Sequence, residues 1–325
     1  MKGARKEVSS GKRLRHRLEA VALRGMAWLV PKSSRRFATR LGRALGWLAF
    51  HLSPNLRRIA LQNLDVAFGD TMPASEKVRV ARASLQNVGA TLLGLFWAPR
   101  LTRESLDWLV DVVGLDRVRE LKARGKPIII ITPHYGDWEL LGLATGFYGF
   151  PLTVVQETMK NEALEEIFAR LRSVSGHRLV PNRFAATTLL KTLKRGGNTG
   201  LLIDLNAARG AGGMWLDFFG LPAYCVAATG ALALHSEAAI LPAVAHPLPN
   251  GRVRIVYGPE IEWARTGDNE AVARAINERC LAFCEDVIRA APEYWMWSYK
   301  RWTPRETAER GRYPDYSRYL PGIAP

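Results

Sequence analysis

The chain has 325 residues, of which 48% are hydrophobic and 23% charged, the composition of an ordinary globular protein with a sizeable core. Its three cysteines are too few for a disulfide framework and favour a reducing compartment. The net charge of +16 is concentrated at one end, because residues 1–60 hold 15 of the 46 basic residues and two of the 30 acidic ones. This asymmetry indicates an anionic partner, and the lack of any zinc-finger, helix-turn-helix or RNA-binding pattern favours lipid headgroups over nucleic acid.

The first 52 residues combine basic, aliphatic and aromatic side chains. Residues 18–30 and 41–52 each place Trp, Leu and Ala among arginines, which predicts amphipathic helices. Neither segment reaches the ~18 uninterrupted apolar residues of a spanning helix, and Arg24 interrupts the apolar region that a signal peptide requires. We interpret residues 1–52 as helices that lie in an anionic membrane interface, where each arginine contributes about 1 kcal/mol. A solvated basic face over an ordinary core helix is the alternative.

Further along the chain, helices give way to a strand–helix alternation. Ser53 and Pro54 form a strong helix start, and helices are predicted over 54–68 and 74–97. The predicted strands are 110–113, 127–132, 152–156, 200–204, 239–245 and 252–257, and the helices among and after them lie near 115–124, 137–148, 161–173, 184–195, 225–236 and 268–290. This order predicts an α/β fold with a mixed, mostly parallel sheet covered by helices. We expect the main domain over 53–305 and a loosely packed tail over 306–325.

The most informative segment is the apolar strand that ends at Thr132 and is followed by Pro133 and His134. Proline stops the strand ladder, so His134 falls in a turn at the carboxyl edge of the sheet, where α/β folds bind ligands. Glu139 lies in the first turn of the next helix, and we expect its carboxylate to hydrogen-bond the imidazole. A histidine held in this way is a general base, since its pKa is ordinarily about 6.5 and a carboxylate fixes its tautomer. In the alternative reading His134 has only a role in the turn, and Asp137, which fits an N-cap better, is a rival carboxylate.

Several segments, in the same order along the chain, resemble those of the bacterial lipid A biosynthesis (lauroyl/myristoyl) acyltransferases, within the lysophospholipid acyltransferase superfamily. The His-x4-Asp/Glu motif of that family matches His134 and Glu139. The other similar segments are 63–68, 172–176, 202–204, 215–222 and 292–302. The family often has Asp-Gln or Asp-His where this chain has Asp204, Leu205 and Asn206, and a His before the Arg-Trp pair where this chain has Ser298 and Tyr299. These differences leave the acceptor lipid open, because related enzymes acylate phosphatidylinositol mannosides and other glycolipids.

The resemblance implies transfer of a fatty acyl group from an acyl thioester, acyl carrier protein or CoA, to a hydroxyl of a lipid A precursor or a similar glycolipid. It implies His134 and Glu139 as catalytic residues, no metal or other cofactor, and a place at the cytoplasmic face of the bacterial inner membrane, peripheral or anchored by the N-terminus. Arg172 is expected to bind a phosphate of acceptor or donor, because an Arg fork suits phosphate geometry. Asp204 ends a strand at the same sheet edge and is expected to orient Arg172 or the acceptor.

Other assignments stay open at this level. Trp295, Trp297 and Trp302 fit either interfacial anchors or core residues, and Lys300 and Arg301 beside them fit headgroup contact. A hydrolase in which the histidine activates water is a second enzyme hypothesis, although no Gly-x-Ser-x-Gly elbow is present. A basic peripheral membrane-binding protein without catalysis is the hypothesis from a different class.

Overall fold

A computed structural model describes residues 10–157, 159, 161–207, 212–303 and 312–320. The helices are α1 (Ser10–Leu29), α2 (Arg35–Leu52), α3 (Pro54–Phe68), α4 (Ala74–Leu95), α5 (Arg103–Leu109), α6 (Leu115–Ala123), α7 (Trp138–Phe147), α8 (Glu162–Arg172), α9 (Ala185–Lys194), α10 (Ala228–Ser236) and α11 (Asn269–Ala290). The strands are β1 (Val110–Val113), β2 (Ile128–Thr132), β3 (Leu152–Gln156), β4 (Arg178–Pro181), β5 (Asn198–Leu202), β6 (Gly213–Phe218), β7 (Leu221–Val226), β8 (Ala239–Pro247) and β9 (Val253–Tyr257). Residues 1–9 of the predicted membrane-binding region, and 306–311 and 321–325 of the predicted tail, lie outside the described residues.

Seven strands form one sheet in the order β1-β9-β8-β2-β5-β3-β4, and β6 pairs with β7 in a separate antiparallel hairpin. Within the large sheet every neighbouring pair is parallel except β8 with β9. The predicted α/β fold with a mostly parallel sheet and an N-terminal helical region is therefore confirmed. The sequence did not predict β4 or the hairpin, because β4 is a four-residue edge strand with one buried residue and β6 and β7 lack a run of β-branched residues.

Strand β2 lies in the middle of the sheet, and all five of its residues are buried. Ile129 and Ile131 belong to the core on one face, and Ile128 and Ile130 to the core on the other. This follows from the two-residue period of a strand that has helices on both faces, which requires a continuous apolar run. The carboxyl end of β2 is consequently held on both sides, and the loop that leaves it starts from a fixed point.

Helix α2 lies directly on α4, and glycines make the close approach possible. A Cβ at Gly42 or Gly46 of α2 would collide with the backbone of α4, and one at Gly89 of α4 would collide with the backbone of α2. Ser34 caps the start of α2 by accepting a hydrogen bond from the Phe37 amide at 3.2 Å. Among the described residues, no helix combines the length and the apolarity needed to cross a membrane.

The described part of the predicted tail, residues 312–320, packs against the helical region rather than hanging loosely from it. Tyr313 and Tyr316 are buried, and the Tyr316 hydroxyl donates to Asn63 Oδ1 at 2.6 Å. The Gln62 amide donates to the Arg318 carbonyl at 2.9 Å. The expectation of loose packing was wrong for this stretch, because both tyrosines are buried. Tyr316 binds Asn63 of α3, and the Tyr313 hydroxyl donates to the Pro222 carbonyl of β7 at 2.8 Å.

Candidate active site

The register of the sheet brings two loops together at its carboxyl edge. Thr132 of β2 is the partner of Leu202 of the adjacent, parallel β5. Two residues beyond this pair the chain reaches His134 on one side and Asp204 on the other. The two side chains are therefore at the same level above the sheet, although they are 70 residues apart in sequence.

His134 and Asp204 form a hydrogen-bonded pair. His134 Nδ1 lies 2.8 Å from Asp204 Oδ1, and the His134 backbone amide donates to Asp204 Oδ2 at 2.8 Å. The same Oδ2 accepts a hydrogen bond from Trp295 Nε1 at 2.7 Å. Because an ionised carboxylate only accepts hydrogen bonds, Nδ1 carries the proton and Nε2 is the basic nitrogen. The His134 side chain is 14% exposed while Asp204 is fully buried, so the imidazole is the member of the pair that solvent and ligands can reach.

The protonation of Asp204 follows from its surroundings. Burial by itself raises the pKa of this carboxyl, but the charge of His134 and the hydrogen bonds from His134 and Trp295 outweigh burial, and the pKa lies below its ordinary value. Asp204 is therefore ionised at neutral pH. Because this pKa is lower in the folded than in the unfolded state, the ionised carboxylate stabilises the folded state at pH values above its unfolded pKa of about 3.9. The stabilisation is lost as the pH falls through the folded pKa.

Glu139 does not pair with His134, so the predicted hydrogen bond between them was wrong. Arg172, at the end of α8, holds both oxygens of Glu139, from Nε at 3.0 Å and from Nη2 at 2.6 Å. Asp204 is bound to His134 and not, as one alternative had it, to Arg172. Asp137 is the N-cap of α7 as expected, since its Oδ1 accepts a hydrogen bond from the Leu140 amide at 3.1 Å.

The pair of Glu139 and Arg172 places a second charged group near the carboxyl edge. Burial lowers the pKa of Arg172, but the adjacent Glu139 carboxylate more than offsets it, and the pKa lies above its ordinary value. The Arg172 side chain is 27% exposed, while Glu139 is buried. Within the part of the chain that the structure describes, Nη1 of Arg172 makes no hydrogen bond. Arg172 therefore keeps its charge and one donor group for a ligand.

Comparison with known proteins shows which family the chain belongs to. The family model for bacterial lipid A biosynthesis acyltransferases matches residues 10–303. The chain is a member of that family. It is 25% identical to the lipid A biosynthesis lauroyltransferase of Escherichia coli (strain K12), over 89% of this chain and 92% of that protein. It is 26% identical to the phosphatidylinositol mannoside acyltransferase of Mycolicibacterium smegmatis, over 73% of this chain and 77% of the other, and 24% identical to the lipid A biosynthesis palmitoleoyltransferase of E. coli, over 89% and 92%.

Residues 294–296 of this acyltransferase complete the site. The sequence did not predict this contribution. The Met296 amide donates to the His134 carbonyl at 3.1 Å, and the Gly136 amide donates to the Tyr294 carbonyl at 3.0 Å. Trp295 binds Asp204 through its indole N–H. One signal for this role was available in the sequence, since a buried tryptophan needs an acceptor for its N–H and Asp204 ends a buried strand.

The aromatic ending of the acyltransferase belongs to the core and not to a membrane interface. Trp295, Trp297 and Trp302 are all essentially unexposed. Arg301, predicted to contact headgroups, is fully buried, and its guanidinium donates to Asn206 Oδ1 and to Cys225 Sγ, 2.7 and 2.8 Å away. Trp295, Trp302 and Arg301 contact Phe218 of β6 or Cys225 of β7, and local sequence does not reveal these contacts.

A buried ion pair between Arg35 and Asp137 holds the end of the loop that contains His134. Arg35 of α2 donates from Nη2 to Asp137 Oδ2 at 2.5 Å and from Nη1 to the Gly94 carbonyl at 2.9 Å. Burial raises the pKa of Asp137, and although Arg35 counteracts this, the pKa remains above its ordinary value. The pair links α2 to the start of α7. The first turn of α7 also contains Glu139, whose carboxylate binds Arg172.

Substitution Arg35→Met is expected to lower the free energy of unfolding by about 3–5 kcal/mol, because it leaves the Asp137 charge buried without a partner. The measurement is urea denaturation followed by circular dichroism. The double variant Arg35→Met, Asp137→Asn is the control and should lose less, since asparagine caps a helix without a charge. The pKa of Asp137 is raised in the folded state, so the deficit of Arg35→Met should shrink as the pH falls and Asp137 is protonated. An equal loss in both variants would contradict this account.

Proposed function

We propose that this acyltransferase moves a fatty acyl group from the thioester of acyl carrier protein or CoA to a hydroxyl of a glycolipid, with His134 as general base. The observation that carries the proposal is the hydrogen-bonded pair of His134 and Asp204 at the carboxyl edge of the sheet. It supports a base because the carboxylate holds the proton on Nδ1 and leaves Nε2 to accept one. The family membership supports the reaction class.

The proposed reaction needs no nucleophile from the enzyme and no cofactor. The acceptor oxygen attacks the thioester carbonyl carbon and forms the C–O bond, while His134 Nε2 takes the hydroxyl proton. The tetrahedral intermediate collapses, the C–S bond breaks and the sulfur leaves. The imidazolium returns the proton to that sulfur, so the products are an ester and a thiol and His134 ends neutral. Asp204 stabilises the imidazolium between the two proton transfers.

The pair of Glu139 and Arg172 is assigned to substrate binding. Arg172 is fixed by Glu139 and keeps one donor group, which suits a phosphate oxygen of the acceptor or of the donor's phosphopantetheine. Glu139 acts through Arg172 and is a positioning residue. This division of labour places the proton transfer on His134 and Asp204 and the recognition of a phosphate on the neighbouring pair.

The acceptor is proposed to be a lipid A precursor. Membership of the lipid A biosynthesis acyltransferase family supports this lipid, and so does the similarity to the lauroyltransferase and the palmitoleoyltransferase of lipid A biosynthesis in Escherichia coli. A phosphatidylinositol mannoside is the second candidate, because the Mycolicibacterium relative that acts on it is equally similar. Both are glycolipids with free hydroxyls, so the same base chemistry serves either one.

The protein is proposed to reach its lipid substrates from the cytoplasmic face of the inner membrane, as a peripheral protein. Large apolar side chains at helical spacing are exposed along α2, and they are Phe37, Leu41, Leu45, Leu48 and Leu52. Leu18, Val21, Trp28 and Leu29 of α1 are exposed as well. An exposed apolar strip beside arginines is typical of helices that lie in the membrane interface and bind anionic lipid headgroups.

Mass spectrometry of total lipids tests the reaction and the acceptor together. Cells that lack the gene are expected to lose one acyl chain from one glycolipid, and restoring the wild-type gene should return it. Purified protein with acyl carrier protein thioester and that glycolipid should yield the same product. Free fatty acid without acylated lipid would favour the hydrolase, and unchanged lipids in the deletion strain, together with no transfer in vitro, would contradict the proposal.

A further inference from the structure

A cavity of about 360 Å³ is lined by α2, by α4 and by residues 247–253, which comprise the end of β8, the turn after it and the start of β9. Its lining is strongly basic, with Arg35, Arg36, Arg40 and Arg43 on one side and Arg252 on the other. Asn250 also lines it, with its backbone in the left-handed region at φ +63°. Neither His134 nor Arg172 lines this cavity, so it is separate from the proposed acyl-transfer site.

Among the described residues, one carboxylate lines the cavity beside five arginines, so most of the positive charge there is not neutralised. Arg36, Arg40 and Arg43 form no ion pair with any described carboxylate, and Arg252 uses its Nε on the Trp108 carbonyl at 3.1 Å. Asp137 is the acidic residue in the lining, and it is already paired with Arg35. Several uncompensated guanidinium groups around one space attract an anion, and phosphate is the anion that matches their geometry.

Arg35 gives a second, independent indication that an anion binds in this cavity. Its side chain is 5% exposed, and two of its three nitrogens are satisfied by Gly94 and Asp137. Its Nε is buried and has no hydrogen-bond partner among the described residues. A buried N–H without an acceptor is unfavourable, and buried polar groups in folded proteins are almost always paired. Because Arg35 also lines the cavity, an oxygen-rich ligand bound there would lie beside this unpaired N–H.

The position of the cavity on α2 identifies the source of the phosphate. Residues 36, 40 and 43 are four and three apart and share one face of the helix. The exposed apolar strip from Phe37 to Leu52 runs beside that face. An anionic phospholipid has the same arrangement, with a charged phosphate next to apolar chains. The buried surface of α2, meanwhile, is fixed on α4 by Gly42 and Gly46, so the two outer faces have constant orientations.

We propose that this cavity binds the phosphate of an anionic phospholipid, which seats α2 on the membrane in one orientation. The site rests on the proposed membrane association but not on acyl transfer. The lipid bound here is a structural ligand and not a substrate, since the cavity contains no member of the His134 pair. Binding also places the phosphate next to the Arg35–Asp137 pair that supports the His134 loop.

Sedimentation with vesicles of phosphatidylcholine, with or without phosphatidylglycerol, tests the site. The full-length variant Arg40→Gln, Arg43→Gln is expected to bind the anionic vesicles about 25-fold more weakly, at roughly fivefold per arginine. The matched control Arg178→Gln, Arg195→Gln removes the same charge from exposed positions outside the cavity and should change binding by less than about twofold, because distant exposed charges are screened. Equal losses in both variants would overturn the site in favour of general charge attraction.

Asn250→Asp tests the same site while keeping every arginine. It exchanges an amide for a carboxylate of nearly the same shape, and aspartate tolerates the left-handed backbone. A loss of about fivefold or more for anionic vesicles is expected, since one charge near the surface has that effect. Unchanged binding by this variant would overturn the proposal, and a normal melting temperature shows that the variant is folded.

Calorimetry with monomeric dihexanoylphosphatidylglycerol and with inorganic phosphate distinguishes the source of the phosphate. Saturable binding of the lipid that is tighter than that of phosphate, and is lost in Arg40→Gln, Arg43→Gln, supports a lipid ligand. Equal affinity for both probes would assign the cavity to a free anion and overturn the lipid. Loss of acyl carrier protein binding in the same variants with full vesicle binding would assign it to a protein partner instead. Acyl transfer is read separately, with detergent-dispersed substrates, so its failure leaves this result intact.

Discussion

Substitution Asp204→Asn is expected to lower kcat about a thousandfold or more, with little change in the amount of folded protein. Asparagine keeps the size of Asp204 and a carbonyl oxygen that accepts one hydrogen bond, but it removes the charge that stabilises the His134 imidazolium. Its amide also donates, so the imidazole can turn its lone pair toward residue 204 and lose its basic nitrogen for the substrate. Loss of the correct tautomer in other triad enzymes has effects of about this size. The measurement is steady-state acyl transfer with saturating thioester and acceptor.

Glu139→Gln is the matched control, because it neutralises a second buried carboxylate of the same site. Glu139 holds Arg172 and not His134. Its loss is therefore expected to raise the KM for a phosphate-bearing substrate and to lower kcat less than Asp204→Asn does. A larger fall in kcat for Glu139→Gln than for Asp204→Asn would show that Asp204 is not the carboxylate that serves the base.

His134→Ala is the second substitution with a large expected effect. It removes the proposed base and should lower kcat/KM by roughly 10²–10⁴-fold, the usual range for one general base. The double variant His134→Ala, Asp204→Asn should be no slower than His134→Ala alone, because residues that act as one unit are not additive. Association with anionic vesicles should be unchanged, since neither residue belongs to the exposed apolar strip of α2 or the basic cavity.

Two outcomes would contradict this mechanism. Full activity of His134→Ala would remove the histidine from proton transfer. Losses that multiply in the double variant would show that His134 and Asp204 act separately, despite the 2.8 Å between Nδ1 and Oδ1. Thermal denaturation of both single variants provides the control for folding, because Asp204 also binds the indole of Trp295.

The sequence predicted the place of His134 but not its partner. The apolar run before Pro133 was enough to locate a buried strand and to put the histidine at its carboxyl edge. The partner depends on which strand lies next to β2, and strand order is not encoded in local periodicity. Once β5 is the parallel neighbour of β2, with Thr132 opposite Leu202, His134 and Asp204 must meet. The short separation in sequence favoured Glu139 instead. Glu139 lies in the first turn of α7, and its carboxylate binds Arg172.

The sequence also did not predict which charged residues are buried. Arg301 follows a lysine and precedes a tryptophan, a pattern that fits a membrane surface equally well, yet it lies fully inside the protein. Arg35 sits in a basic segment and is also buried, because Asp137 and the Gly94 carbonyl receive its guanidinium. In each case the deciding partner is distant along the chain. Local composition predicted most of the helices, α5 (Arg103–Leu109) excepted, but not that Arg35 and Arg301 are buried.

One carboxylate joins three distant stretches of the polypeptide. Asp204 accepts hydrogen bonds from the loop after β2 and from the segment that contains Trp295, so the imidazole acquires its final setting only when that late segment is in place. Residue 295 is synthesised after residues 134 and 204. A nascent chain that stops before residue 295 therefore lacks one of the three hydrogen bonds to Asp204, and the carboxylate reaches its observed setting only after the segment with Trp295 has been made.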